Sequence, residues 1–133
     1  MTIVVGYLPT PEGKAALERA TEESALRNLP LVVVASQQGG REFGDEEVAR
    51  FDRELDSVRA SLEKAGVQHE VRGLVRGNDP SDDVLAVAEE TGAELIVIGL
   101  RRRSPVGKLL LGSNAQRILL EADCTVIAVK AAR

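Results

Sequence analysis

Between Leu95 and Asn114 the chain sets an apolar run, three glycines and a cluster of cations in an order that suits an anion. Leu95-Ile96-Val97-Ile98 runs into Gly99, and Arg101, Arg102 and Arg103 follow. Gly107-Lys108 comes next, and Gly112-Ser113-Asn114 then opens a helical pattern. Glycine lets a backbone approach a ligand closely. Free N–H groups at a helix start point outward, and the helix dipole favours negative charge there. A polyphosphate is the kind of anion this chemistry suits. Residues 101–117 hold five basic side chains and no acid, in a chain of net charge −4.

Each feature has a plainer reading beside this one. Arg101 to Arg103 could be a solvated loop, and Ser113 an ordinary serine N-cap. Leu109-Leu110-Leu111 suits core packing or a dimer contact better than a substrate pocket. The loop is not a Walker P-loop: Gly107 to Gly112 has the glycine spacing, but Ser113 stands where the lysine must be. Nor is it a Rossmann fingerprint, because Gly6 is followed by Tyr7, Leu8 and Pro9. No serine–histidine–acid set and no metal-ligand spacing emerges from a chain with one histidine, His69, and one cysteine, Cys124. His69 reads as a packed or edge residue, and Cys124 as a buried structural thiol. The acids Asp45, Glu46 and Glu47 stand at a helix start, where carboxylates complement the dipole. The chain is therefore expected not to be an enzyme, or at most a weak ATPase.

The elements that must position the loop alternate in hydrophobic period. Thr2 to Tyr7 and Leu31 to Ala35 are continuous apolar runs, as expected of buried parallel strands. A helix from Pro11 to about Arg27 offers a small-residue face of Ala16, Ala20 and Ser24, with Leu17. Gln37 to Gly40 reads as a loop. Asp45 is the expected N-cap of a long helix to about Gly66, with Val48, Phe51, Leu55, Val58 and Leu62 on one face. From Val67 to Val75 strict alternation predicts a half-buried edge strand. Asp79-Pro80-Ser81 starts a helix that Gly92 ends, and Leu95 to Ile98 is the next strand. A helix opened by Ser113 has Ala115, Ile118, Leu119 and Ala122 on one face, and Thr125 to Val129 is the last strand. This βαβαβαβαβ string predicts an α/β domain spanning residues 1–133, with a mostly parallel sheet and helices on both faces. The loops after Tyr7, Ala35 and Ile98 all fall at the strand carboxyl ends, where such sheets take ligands.

The chain resembles the universal stress protein family. Its nucleotide motif, Gly-x2-Gly-x9-Gly-Ser/Thr, is matched by Gly99, Gly112 and Ser113, with Arg102 in place of the middle glycine. Ile3-Val4-Val5-Gly6, Ala15-Ala16-Leu17, Gly77-Asn78-Asp79-Pro80 and Ala122-Asp123-Cys124 carry the resemblance through the rest of the chain. It implies an open five-stranded parallel sheet, Rossmann-like and of the adenine nucleotide alpha hydrolase-like type. It also implies an adenine nucleotide, ATP with or without magnesium, as ligand of a cytoplasmic stress-response regulator. Gly99, Arg102, Gly112, Ser113 and Asn114 would hold the phosphates, with Arg101 adding charge. Gly6, Tyr7, Leu8, Ser36 and Ile98 would wall the adenosine.

Two positions depart from the nucleotide-binding pattern: Leu8 replaces the usual aspartate at the end of the first strand, and Arg102 replaces a glycine. The alternative is a nucleotide-free dimeric interaction module of the same family. The resemblance also implies a homodimer formed by pairing the last strand, Val126, Ile127, Ala128 and Val129, across a two-fold axis. Nucleic acid and membrane are not expected partners, given 2% aromatic residues, the acidic balance and the absence of a spanning apolar run.

Overall fold

A computed structural model describes residues 1–37, 44–75, 79–101 and 111–131. Five strands alternate with four helices: β1 (Thr2–Gly6), α1 (Pro11–Arg27), β2 (Leu31–Gln37), α2 (Asp45–Ala65), β3 (His69–Val75), α3 (Pro80–Thr91), β4 (Ala93–Leu100), α4 (Ser113–Glu121) and β5 (Thr125–Lys130). The sheet order is β3-β2-β1-β4-β5, and every pairing is parallel. The chain starts at the centre, builds outward to β3, then returns to the other side of β1. The order therefore reverses between β1 and β4.

Period-two alternation in the central strands feeds two cores. Ile3, Val5, Leu31, Val33, Leu95 and Val97 pack against Ala16 and Ala20 of α1 and Leu55, Val58 and Leu62 of α2. Val4, Val32, Val34, Ile96 and Ile98 pack on the opposite face against Val84, Val87 and Ala88 of α3 and Ile118 of α4. Strands with both faces covered read as continuous apolar runs, which is why β1, β2 and β4 stand out in the sequence.

Small side chains on α1 let its first turns come down onto the sheet. A Cβ on Gly13 would lie 1.9 Å from the Leu8 carbonyl oxygen, so only glycine fits there. Thr10 caps this helix, its Oγ1 accepting from the Gly13 N–H at 3.1 Å. Residues Gly66 and Gly92 end α2 and α3 with positive φ of 73° and 64°, a conformation that glycine adopts without steric cost.

Two expected caps fall one residue early. Gly44, not Asp45, is the N-cap of α2, its N–H donating to Glu47 Oε2 at 3.1 Å. Gly112, not Ser113, is the N-cap of α4. In both cases the polar residue is the first helical one and the glycine before it takes the extended conformation of the cap. Val48 and Leu119, expected on buried faces, are about 40% exposed because each lies at the margin of its helix's contact with the sheet. Gln37, expected in a loop, is the last residue of β2, paired with Val75.

Candidate functional site

At the point where the strand order reverses, the carboxyl ends of β1, β2 and β4 enclose a cleft of about 100 Å³ with the N-termini of α3 and α4 above it. Gly6, Tyr7 and Leu8 form one wall, and Ile98 and Gly99 form the facing one. Ser36 and Val34 close the β2 side, and Asn114 with Ala115 and Ile118 the α4 side. Seven residues singled out from the sequence thus meet in one place: Gly6, Tyr7, Leu8, Ser36, Ile98, Gly99 and Asn114. The other expected contacts divide. Gly112 and Ser113 stand exposed just before Asn114, outside the cleft lining. Arg101 is exposed at the end of β4, 3.8 Å from Glu12. Arg102, Arg103 and Lys108 lie outside the described residues, as does Gly107.

The two motif glycines that are described serve different ends. A Cβ on Gly99 would come 2.3 Å from the carbonyl oxygen of Glu12, so the first turn of α1 itself requires glycine there. Around Gly112 no described atom lies within 4 Å of such a Cβ, and its φ of −64° is open to any residue. Packing explains Gly99 and leaves Gly112 unexplained. Among the described residues no side chain caps the α4 N-terminus, and the N–H groups of a first helical turn suit an anion.

The polar side chains of the cleft are already partly committed, and that sets what each has left to offer. Ser36 Oγ donates to Asp83 Oδ2 at 2.6 Å. Asn114 Oδ1 accepts from the Ser81 N–H at 3.3 Å, tying the start of α4 to the start of α3 and leaving the amide NH₂ as a donor. Tyr7 sends its hydroxyl away from the cleft to Glu54 on α2. Burial first, and then that carboxylate, push the Tyr7 phenol well above its ordinary value. The cleft thus offers an acceptor at the β2 end and donors at the α4 end. A nucleotide has the matching polarity, with a base bearing N–H groups at one end and anionic oxygens at the other. The residues present therefore fit such a ligand.

Sequence reasoning missed the α3 contribution. Pro80 and Val84 line the cleft, and Val84 Cγ2 would sit 3.2 Å from a Cβ on Gly6. Asp83, only 4% exposed, stands behind Ser36. The string of turn and acidic residues from Asp79 to Asp83 looks like an exposed helix start. No local signal shows that one of its acids turns inward onto a strand 47 residues earlier.

Tyr7, Leu8 and Ser36 also border a second cavity of about 480 Å³ on the α2 side, closed by Phe51, Leu55 and Glu54. The single histidine and the single cysteine lie away from the cleft lining. His69 Nδ1 lies 2.8 Å from the Val67 carbonyl on the edge strand. Cys124 is half-buried, and burial raises its thiol's pKa above the usual value, which weakens it as a nucleophile. Among the described residues no group of three or more His, Cys, Asp or Glu side chains could hold a metal ion. Among them, too, no helix is long and apolar enough to cross a membrane.

Known proteins share this arrangement. The chain is 46% identical over 130 residues to a universal stress protein of Mycolicibacterium smegmatis, covering 96% of each chain. The structure of a universal stress protein from Archaeoglobus fulgidus superposes with a TM-score of 0.84 at 39% identity, covering 98% of both chains. A structure of the universal stress protein from the same organism in complex with dAMP superposes with a TM-score of 0.77 at 34% identity, again over 98% of both. These neighbours have the adenine nucleotide alpha hydrolase-like fold. Residues 1–130 match the universal stress protein family as a whole. With its parallel sheet, its cleft at the reversal of strand order and its relatives in agreement, the chain belongs to the universal stress protein family.

Proposed function

We propose that this protein binds an adenine nucleotide in the cleft between β1 and β4, with the phosphates at the α4 N-terminus. The observation that carries the reading is Gly112: an exposed, uncapped helix start whose missing side chain no described contact requires, two residues before a cleft residue. The A. fulgidus relative in complex with dAMP supports it. Gly112, Ser113 and the Asn114 amide would hold phosphate, joined by Arg101 and Arg102. Gly6, Tyr7, Leu8, Ser36, Ile98 and Gly99 would enclose the nucleoside.

The role is regulatory rather than catalytic. Nucleotide occupancy alters a surface that partners read in the cytoplasm. The protein acts as a homodimer paired through β5, which lies at the sheet edge opposite β3 and bears the half-buried Val126, Ile127 and Val129 with Ala128. An apolar edge left bare would be an aggregation hazard. Light scattering on a size-exclusion column should give twice the chain mass at micromolar concentration.

The test of binding is direct. Freshly purified protein is denatured and the released small molecules are identified, and thermal unfolding is followed in millimolar ATP with magnesium. Bound nucleotide, or a rise of several degrees that Gly112→Val abolishes, is the expected result. Phosphate release should stay at slow background levels in both proteins.

Two observations favour a second reading, a dimeric interaction module without nucleotide. Leu8 puts an aliphatic side chain into the cleft, and about 100 Å³ is small beside the roughly 300–1,000 Å³ of ordinary ligand pockets. No released nucleotide together with no thermal shift would establish that reading instead.

A further inference from the structure

The cavity on the α2 side, about 480 Å³, lies within the roughly 300–1,000 Å³ of ordinary small-molecule pockets. Small residues keep it open. Ala35 on β2 pairs with Gly73 on β3, so two of the smallest residues stand side by side beneath α2. A Cβ on Gly73 would come 2.5 Å from Leu55 Cδ1 and 2.9 Å from Phe51 Cε2. Those two side chains therefore lean into the space that glycine leaves, and room remains over Ala35. Leu8 and Pro9 supply the wall at the end of β1.

On α2, Glu47, Phe51 and Glu54 follow one another at spacings of four and three, which puts them on one face, and all three line the cavity. Glu54 accepts the Tyr7 hydroxyl, and Glu47 Oε2 accepts the Gly44 N–H at 3.1 Å. Each carboxylate keeps lone pairs for a further donor. Arg50 is the cation among the described lining residues, but its side chain is 67% exposed and lies 3.6 Å from Glu46, which already balances it. Negative charge is thus in excess beside apolar walls and an aromatic ring. A protonated amine on a hydrophobic body suits such a place, through a charge-assisted hydrogen bond and attraction to the ring face.

We propose that this cavity is a second small-molecule site, taking a hydrophobic amine whose ammonium group Glu54 holds and whose body lies over Ala35. The inference does not rest on the nucleotide reading. Ala35 and Leu55 belong to the core under α1 and α2, whereas Val34, Val84 and Ile98 of the cleft belong to the opposite one.

The experiment titrates the full chain with tryptamine, its neutral analogue tryptophol and the anionic indole-3-propionate. The chain has no tryptophan, so indole fluorescence reports the probe directly. Tryptamine is expected to bind with a Kd of about 1 mM or tighter, and tryptophol about tenfold more weakly. Indole-3-propionate should bind weakest. Glu54→Gln, which can still accept from Tyr7, should weaken tryptamine about tenfold and leave tryptophol within about threefold. Ala35→Leu, which fills the cavity from its floor, should weaken both by tenfold or more while circular dichroism stays that of the parent. Millimolar AMP should leave tryptamine binding within about threefold. Failure of tryptamine to bind, equal binding of all three probes, or preference for the anion would overturn the proposal. So would an unchanged Glu54→Gln or Ala35→Leu variant, or displacement of tryptamine by AMP, which would put the probe in the cleft instead.

Discussion

The carbonyl of Glu12 lies directly over Gly99, so close that a methyl group at position 99 would come 2.3 Å from its oxygen and 2.6 Å from its carbon. The first glycine of the loop motif is thus a docking point for α1 as well as a wall of the cleft. Because the clash is with backbone, a rotamer change cannot relieve it. Gly99→Ala should cost about 1–3 kcal/mol in urea unfolding, the range for forced overpacking. Gly112→Ala, whose Cβ would meet no described atom within 4 Å, should cost about 1 kcal/mol or less and act instead on nucleotide affinity. Equal losses of stability in the two variants would contradict the separation of roles.

Gly13 extends the same logic. Alanine is favoured over glycine inside a helix by about 1 kcal/mol, yet here a Cβ would meet the Leu8 carbonyl oxygen at 1.9 Å. Gly13→Ala should therefore destabilise the protein by about 2 kcal/mol or more despite its better helix propensity. Chemical denaturation followed by circular dichroism reads the sign.

Leu8 is 43% exposed and borders the cleft, so a carboxylate can replace it without being buried. Leu8→Asp should leave the unfolding midpoint nearly unchanged and tighten AMP binding by about tenfold or more, since a charged acceptor contributes roughly 1.5–3 kcal/mol. Titration calorimetry against the parent protein measures it. An unchanged or weaker affinity would place the nucleoside away from the end of β1.

The chain has one tyrosine and no tryptophan, so absorbance near 295 nm follows Tyr7 alone. Burial and the Glu54 carboxylate stabilise its neutral form, and in the folded protein it should resist ionisation well above its ordinary value of 10. The unfolded chain then loses its proton before the folded one. Above about pH 10 the folded state holds more protons, so stability falls as pH rises. Below that value this group adds no pH dependence. Tyr7→Phe should remove the alkaline slope and, by leaving Glu54 without its donor, cost about 1–2 kcal/mol at neutral pH.

Much of the architecture was legible along the chain because its causes act over short spans. The stripe Phe51, Leu55, Val58 and Leu62, the stops at Gly66 and Gly92 and the continuous runs of β1, β2 and β4 each reflect interactions within a few residues. Caps were misplaced by one position at Asp45 and Ser113, because a polar side chain and an adjacent glycine both suit a helix start and the backbone angles decide between them.

Periodicity, glycine and charge were enough to put Gly6, Tyr7, Leu8, Ser36, Ile98, Gly99 and Asn114 at one edge of a parallel sheet. They could not say why Gly99 is glycine, that Tyr7 turns its hydroxyl to Glu54, or that Asp83 takes the proton of Ser36. Those outcomes belong to the folded molecule. Each joins groups from elements 47 or more residues apart, and it arises only once packing has brought two helices down onto the same strand ends. Local propensity carries no information about such meetings, because the partner that completes each one lies on another element.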